Sequence, residues 1–143
     1  MIDIENYVLT QVKNAIIAQY PSAKVYGEYI DVPAGFPCVT VMESDNKTYR
    51  PTQDDSLTEH HAEVMYEINV YTNDKNGRKD KAKRIADIAD STMQSMKFTR
   101  TFREQIPNID RTILRITMRY EGIVAEGVAD SGTTTYQMYR NRS

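Results

Sequence analysis

The segment Ala62 to Thr72 reads Ala-Glu-Val-Met-Tyr-Glu-Ile-Asn-Val-Tyr-Thr, and a second segment, Ile113 to Val124, shows the same alternation of apolar and polar side chains. Successive strand side chains point to opposite faces. Ala62, Val64, Tyr66, Ile68 and Val70 therefore share one side of the first strand, and in the second Leu114, Ile116, Met118 and Tyr120 separate from Arg115, Thr117, Arg119 and Glu121. Each strand has one dry face and one polar face. That pattern predicts a small sheet covered by helices on one side and free on the other to meet water or a neighbouring subunit.

The helices announce themselves by period. Ile4, Val8, Val12, Ala15, Ile16 and Gln19 recur at three- and four-residue steps, predicting a helix from Ile4 to Gln19 with Asp3 as N-cap and Pro21 as terminator. A second helix, Arg78 to Met96, carries the stripe Ala82, Ile85, Ala89, Met93 and Met96, and its charges at four-residue spacing, Asp80 with Arg84 and Lys83 with Asp87, answer each other. Lys24 to Ile30 and Cys38 to Ser44, with Pro33-Ala34-Gly35 between them, predict a pair of antiparallel strands; Phe98 to Phe102 predicts a short one. The polar, aperiodic stretch Asp45 to Glu59 predicts a mobile arm or an extended hairpin. The expected fold is α+β: a mostly antiparallel sheet with two helices packed on one face, in the order α-β-β-β-α-β-β. Residues 1–125 form the expected single domain. Residues 126–143 form a C-terminal extension, rich in Thr and Tyr, that reads as an edge strand or one exchanged with a neighbour.

At 143 residues the chain is long enough to bury about two-thirds of its unfolded surface without a disulfide or a metal. Its single cysteine, Cys38, lies in an apolar strand-like run with no cationic neighbour in sequence, which predicts a buried, unreactive thiol. The net charge of −2 and the lack of a basic block argue against direct, sequence-specific binding of nucleic acid. No stretch is apolar for the length of a membrane span, and the N-terminus carries no export pattern, so synthesis in a cytoplasm is the expectation. Ten tyrosines and no tryptophan favour rings with a polar edge, which suit surfaces buried on assembly.

Catalytic and cofactor chemistry finds no foothold. The two histidines, His60 and His61, are neighbours, and an extended backbone points them apart, so they do not chelate one metal. No serine sits in a Gly-x-Ser-x-Gly context, and the scattered glycines form no phosphate-cradling loop. No catalytic residue, metal site or cofactor is expected.

What remains is the polar face. Glu63 and Glu67 on one strand are placed to meet Arg115 and Arg119 on another as cross-strand ion pairs. The same face carries Met65 and Tyr71, unusual on a surface that stays wet. It reads as ordinary amphiphilic surface, as a face packing against a copy of the chain in a ring, or as a ligand groove. The candidate contact residues are Met65, Glu67, Tyr71, Arg115 and Arg119, with Asp54 and Asp55 in the polar connection and Tyr136 and Tyr139 in the C-terminal extension.

In element order and texture, most of all over Pro37 to Ser44, Glu63 to Asn73, Lys81 to Asp90 and Arg115 to Gly122, the chain resembles the tail-terminator and tail-completion proteins of long-tailed bacteriophages and related prophage elements. The resemblance covers Ile4 to Val124. It implies a virion protein of the tail or neck, assembled in the bacterial cytoplasm as a ring, a hexamer in that family. Such a ring caps the tail tube and offers a docking surface to the head-side connector. The partners it implies are further copies of the chain, the tail-tube protein and the head-tail connector protein, with no membrane. Two other readings stand beside it: a head-tail connector or neck adaptor, and a small enzyme or ligand-binding α+β domain using the groove that bears Tyr and Arg side chains.

Overall fold

The structure, a computed structural model, describes residues 2–30, 33–48, 61–128 and 134–139. Its elements in chain order are α1 (Glu5–Gln19), β1 (Lys24–Tyr26), β2 (Cys38–Thr48), β3 (His61–Thr72), α2 (Arg78–Ser95), β4 (Thr99–Ile106), β5 (Leu114–Val128) and β6 (Thr134–Tyr139). The fold is α+β with a six-stranded, mostly antiparallel sheet in the order β1-β2-β3-β5-β4, and β6 pairs with β5 beyond the end of β4. Both helices cover the face predicted to be dry. α1 buries Val8, Val12 and Ile16, and α2 buries Ala82, Ile85, Ala86, Ala89 and Met93. Beneath them Val64, Tyr66, Ile68 and Val70 of β3 and Ile116, Met118 and Tyr120 of β5 complete one core. Each large apolar side chain removed from water there contributes about 1.5–3 kcal/mol.

The central pairing is long and regular. β3 and β5 run antiparallel from His61↔Ala125 to Thr72↔Leu114, and β2 and β3 from Cys38↔Tyr71 to Thr48↔Ala62, with one irregularity between Glu43 and Asp45. β2 thus continues through the start of the stretch expected to lack regular structure, and β2 and β3 form the extended hairpin. Asp54 and Asp55 lie outside the described residues. The segment after residue 126 continues β5 to Val128, and β6 folds back onto it in the register Glu126↔Tyr136 and Val124↔Met138.

Two expectations are corrected. β1 pairs with β2 in parallel, Lys24↔Cys38 through Tyr26↔Thr40, where an antiparallel pair was expected. The chain leaves β1 at Tyr26 and re-enters the sheet at Cys38 beside Lys24, whose N–H donates to the Pro37 carbonyl at 2.9 Å. Entry at the same end makes the strands run alike, and the connection between them is long enough for such a crossover. Secondly, Ile4, not Asp3, occupies the N-cap position of α1. The Asp3 carboxylate still meets the helix start, accepting from the Glu5 N–H at 3.1 Å.

Glycine at position 122 is dictated by a ring. A Cβ there would come within 2.8 Å of Phe98 Cδ1, and Phe98 is held edge-on to Tyr66 at 5.4 Å between centroids.

Polar groups at the rim of the core are answered. The Tyr120 hydroxyl donates to Asp90 Oδ1 at 2.7 Å, Gln94 Nε2 donates to Asp90 Oδ2 at 2.8 Å, and Arg100 Nη1 lies 3.1 Å from Oδ1. Burial pushes the Asp90 carboxyl up, but these donors together outweigh it and hold the group below the usual carboxylate range. A carboxyl with a depressed folded pKa stabilises the fold above its unfolded pKa, and that contribution is lost as pH falls through the folded value. Tyr120→Phe is therefore expected to cost about 1.5–3 kcal/mol at neutral pH, the scale of a hydrogen bond to a charged group. Urea unfolding should show the gap to wild type narrowing as pH drops below 3.8, the ordinary aspartate value.

Candidate assembly surface

The face opposite the helices is built from the odd-numbered positions of β3 and β5 and their register partners, which stack in rows across the sheet. One row runs Met42, Glu67, Arg119, Phe102. The Arg119 guanidinium is bracketed there: Nε donates to Glu67 Oε1 at 3.2 Å, and Cζ lies 4.8 Å from the Phe102 ring centroid. This is one of the cross-strand ion pairs expected from sequence. With Arg119 half exposed it contributes about 0–1 kcal/mol, so its role is to set the orientation of the arginine rather than to stabilise the fold. The other expected pair does not form, because Glu63 lies opposite Ile123 while Arg115 lies opposite Tyr71, near the other end of β3.

The next row is Thr40, Asn69, Thr117 and Glu104, and its first three members form a seam of short polar side chains. Asn69 is its hub. Its Oδ1 accepts from Thr117 Oγ1 at 2.7 Å and from Arg115 Nε at 3.0 Å, and its Nδ2 donates to Glu67 Oε2 at 3.4 Å. Asn69, Thr117 and Thr40 are all buried, and Thr40 Oγ1 has no hydrogen-bond partner among the described residues. Asn69 thereby holds Arg115 by its side chain and ties it indirectly to the Glu67–Arg119 pair. Sequence reasoning missed this hub. An asparagine inside a strand of Ile and Val was its visible signal, but its partners depend on the β3–β5 register.

The third row, Cys38, Tyr71, Arg115, Ile106, turns the lower end of this face inward. Tyr71 is only 2% exposed, packed with Cys38 and Ile113 and against Tyr26 and Phe36, with Arg115 Cζ 5.7 Å from its ring centroid. As a candidate contact residue Tyr71 is corrected: it belongs to a small second core of its own chain. Burial pushes the Cys38 thiol up to about 11, so it stays protonated and unreactive at neutral pH.

Toward the other end, Met65 lies between Asp45 and Glu121 and is partly exposed. The last row brings Lys47, Glu63, Ile123 and Tyr139 together, with the Tyr139 ring 6.2 Å from that of His61. Tyr136, three residues before Tyr139, points to the helix side, where it lines a cavity with the first turn of α1. Met65, Glu67, Arg115, Arg119 and Tyr139 thus share the open face, and Phe102 and Met42 join them. Phe102 escaped the sequence reading because an irregularity between Arg100 and Phe102 shifts the parity of β4.

Both helices lie on the other face; the Tyr71 end of this one is covered by Tyr26, Phe36 and Ile113, and no described helix or strand packs over Met42, Met65, Glu67, Phe102 and Arg119. Among the described residues no group of three His, Cys, Asp or Glu side chains is placed to hold a metal ion, and no helix is long and apolar enough to cross a membrane. Comparison with models of protein families finds no match, and comparison with curated proteins finds none.

Proposed function

We propose that this chain is a structural virion protein that forms a ring at the end of a phage tail tube, stops tube growth and presents a docking surface to the head-side connector. The observation that carries the reading is the open sheet face, where Met42 and Phe102 sit in register with an oriented Glu67–Arg119 pair, Met65 lies in the next row, and no described element packs above them. Apolar side chains interleaved with a fixed charge pair suit burial against a second protein, since the apolar groups favour contact and the charges select register. Repetition of a modest contact around a ring multiplies its effect without tight pairwise affinity.

Light scattering of polymerising tail-tube protein tests it. Chain added well below the tube protein's concentration is expected to shorten the tubes and to co-sediment with their ends. Unchanged tube length with the chain left in the supernatant would overturn the reading. Retention on tailless heads instead of headless tails would move the protein to the neck, as a connector.

A further inference from the structure

The two ends of the sheet are unlike. At one, the connection from β4 to β5 forms a knob with Ile109 fully exposed at its tip. Arg111, beside it, is exposed and forms no ion pair with any described residue. The knob has a fixed shape, because Asp110 Oδ1 accepts from the Thr112 N–H at 2.9 Å and its hydroxyl at 2.6 Å, and the Ile113 N–H donates to the Asp110 carbonyl at 3.1 Å. An isoleucine held wholly in water has nothing to gain from its own chain.

At the other end a cavity of about 600 Å³ opens between the first turn of α1 and β6. Ile4 and Met138 supply apolar wall, Tyr7 and Tyr136 supply two rings each more than two-fifths exposed, and Asp3 and Glu5 supply carboxylates. No cation among the described residues pairs with either carboxylate. The negative field is felt locally: burial first, and then the charges of Glu5 and Asp3, push the nearby Glu43 carboxyl up. The site is therefore apolar, aromatic and acidic, and the knob is apolar at its tip, with the Asp110 carboxylate turned back onto Thr112 and the Arg111 cation left without an ion pair among the described residues.

The knob cannot reach the cavity of its own chain. β5 runs from Leu114 at the knob to Val124 beside Met138, a span of roughly 33 Å at about 3.3 Å per residue. A contact between these two different patches must join separate copies, and such head-to-tail contacts close into a ring when the rotation allows. We propose that the Ile109 knob of one copy seats in the α1–β6 cavity of the next, with Ile109 against Ile4 and Met138 and with Arg111 facing Asp3 and Glu5. This rests on the reading of the chain as a self-assembling block, and it adds which patches meet and in which sense.

Sedimentation velocity of the full chain tests it, with circular dichroism confirming that the exposed-site variants remain folded. Ile109→Asp and Tyr136→Arg should each weaken self-association about tenfold or more, as loss of an interface anchor does. Mixed together, the two variants retain one sound knob and one sound cavity between them, and should stop at a heterodimer. Arg111→Glu should weaken association, and the double variant Arg111→Glu, Glu5→Lys should restore most of it. Particles of wild-type size from Ile109→Asp, or full-sized particles from the mixture, would overturn this contact while leaving self-assembly standing. A wild-type chain that stays monomeric to its solubility limit would overturn both.

Discussion

Ile68→Asp is expected to leave this protein unfolded at neutral pH. Ile68 is fully buried at the centre of β3, directly opposite Val41 on one side and Met118 on the other, beneath the helix layer. Truncation alone at such a site costs about 2–5 kcal/mol, and an unpaired buried carboxylate adds several more. Domains of this size hold about 5–15 kcal/mol in total. Far-ultraviolet circular dichroism and urea titration provide the readout, and Ile68→Ala, expected to fold with that 2–5 kcal/mol loss, gives a measurable variant. The neighbouring substitution sets the contrast: Glu67→Ala, one residue away on the opposite face, should leave the chain folded at a cost of about 1–3 kcal/mol, set by the Asn69 amide that loses its acceptor rather than by the exposed Arg119 pair. A folded Ile68→Asp chain with near wild-type stability would refute the assignment of the two faces.

That contrast of adjacent residues is the part of the architecture most legible in the amino-acid order. A period of two on a strand admits one dry face, and Val64, Tyr66, Ile68 and Val70 all reach the core accordingly. The helical stripes were equally readable, since Val8, Val12 and Ile16, and Ala82, Ile85, Ala89 and Met93, are buried as their spacing requires. Direction was not readable for β1: a strand of three residues has no pattern that distinguishes parallel from antiparallel pairing. Nor was the burial of Tyr71. Parity places it correctly on the face away from the helices, but Phe36, Tyr26 and Ile113 arrive from elsewhere in the chain to cover it. The choice between Glu63 and Glu67 as an arginine partner turned on register, which a period of two leaves free in steps of two residues. The same is true of Asn69, whose cross-strand partners, Arg115 and Thr117, reach it only in the β3–β5 register found.

Met65→Lys is expected to leave the chain folded and, under the proposed function, to impair the capping of tail tubes. Met65 is partly exposed and faces Asp45 on one neighbouring strand and Glu121 on the other, so an ammonium there gains two cross-strand carboxylates, each pair contributing about 0.2–1 kcal/mol. Stability to urea should therefore equal or slightly exceed that of wild type. Against a partner the sign reverses. A methionine at the middle of the open face can be buried without cost, whereas a lysine must shed its water where apolar groups close over it, and charged side chains are depleted from interface centres for that reason. The loss should exceed tenfold, equivalent to about 1.4 kcal/mol, in the concentration needed to cap tubes. Because folding and capping are expected to move in opposite directions, stability measured beside tube length separates a damaged fold from a damaged surface. Undiminished capping by Met65→Lys would mean that this face remains in water and that docking occurs elsewhere on the molecule.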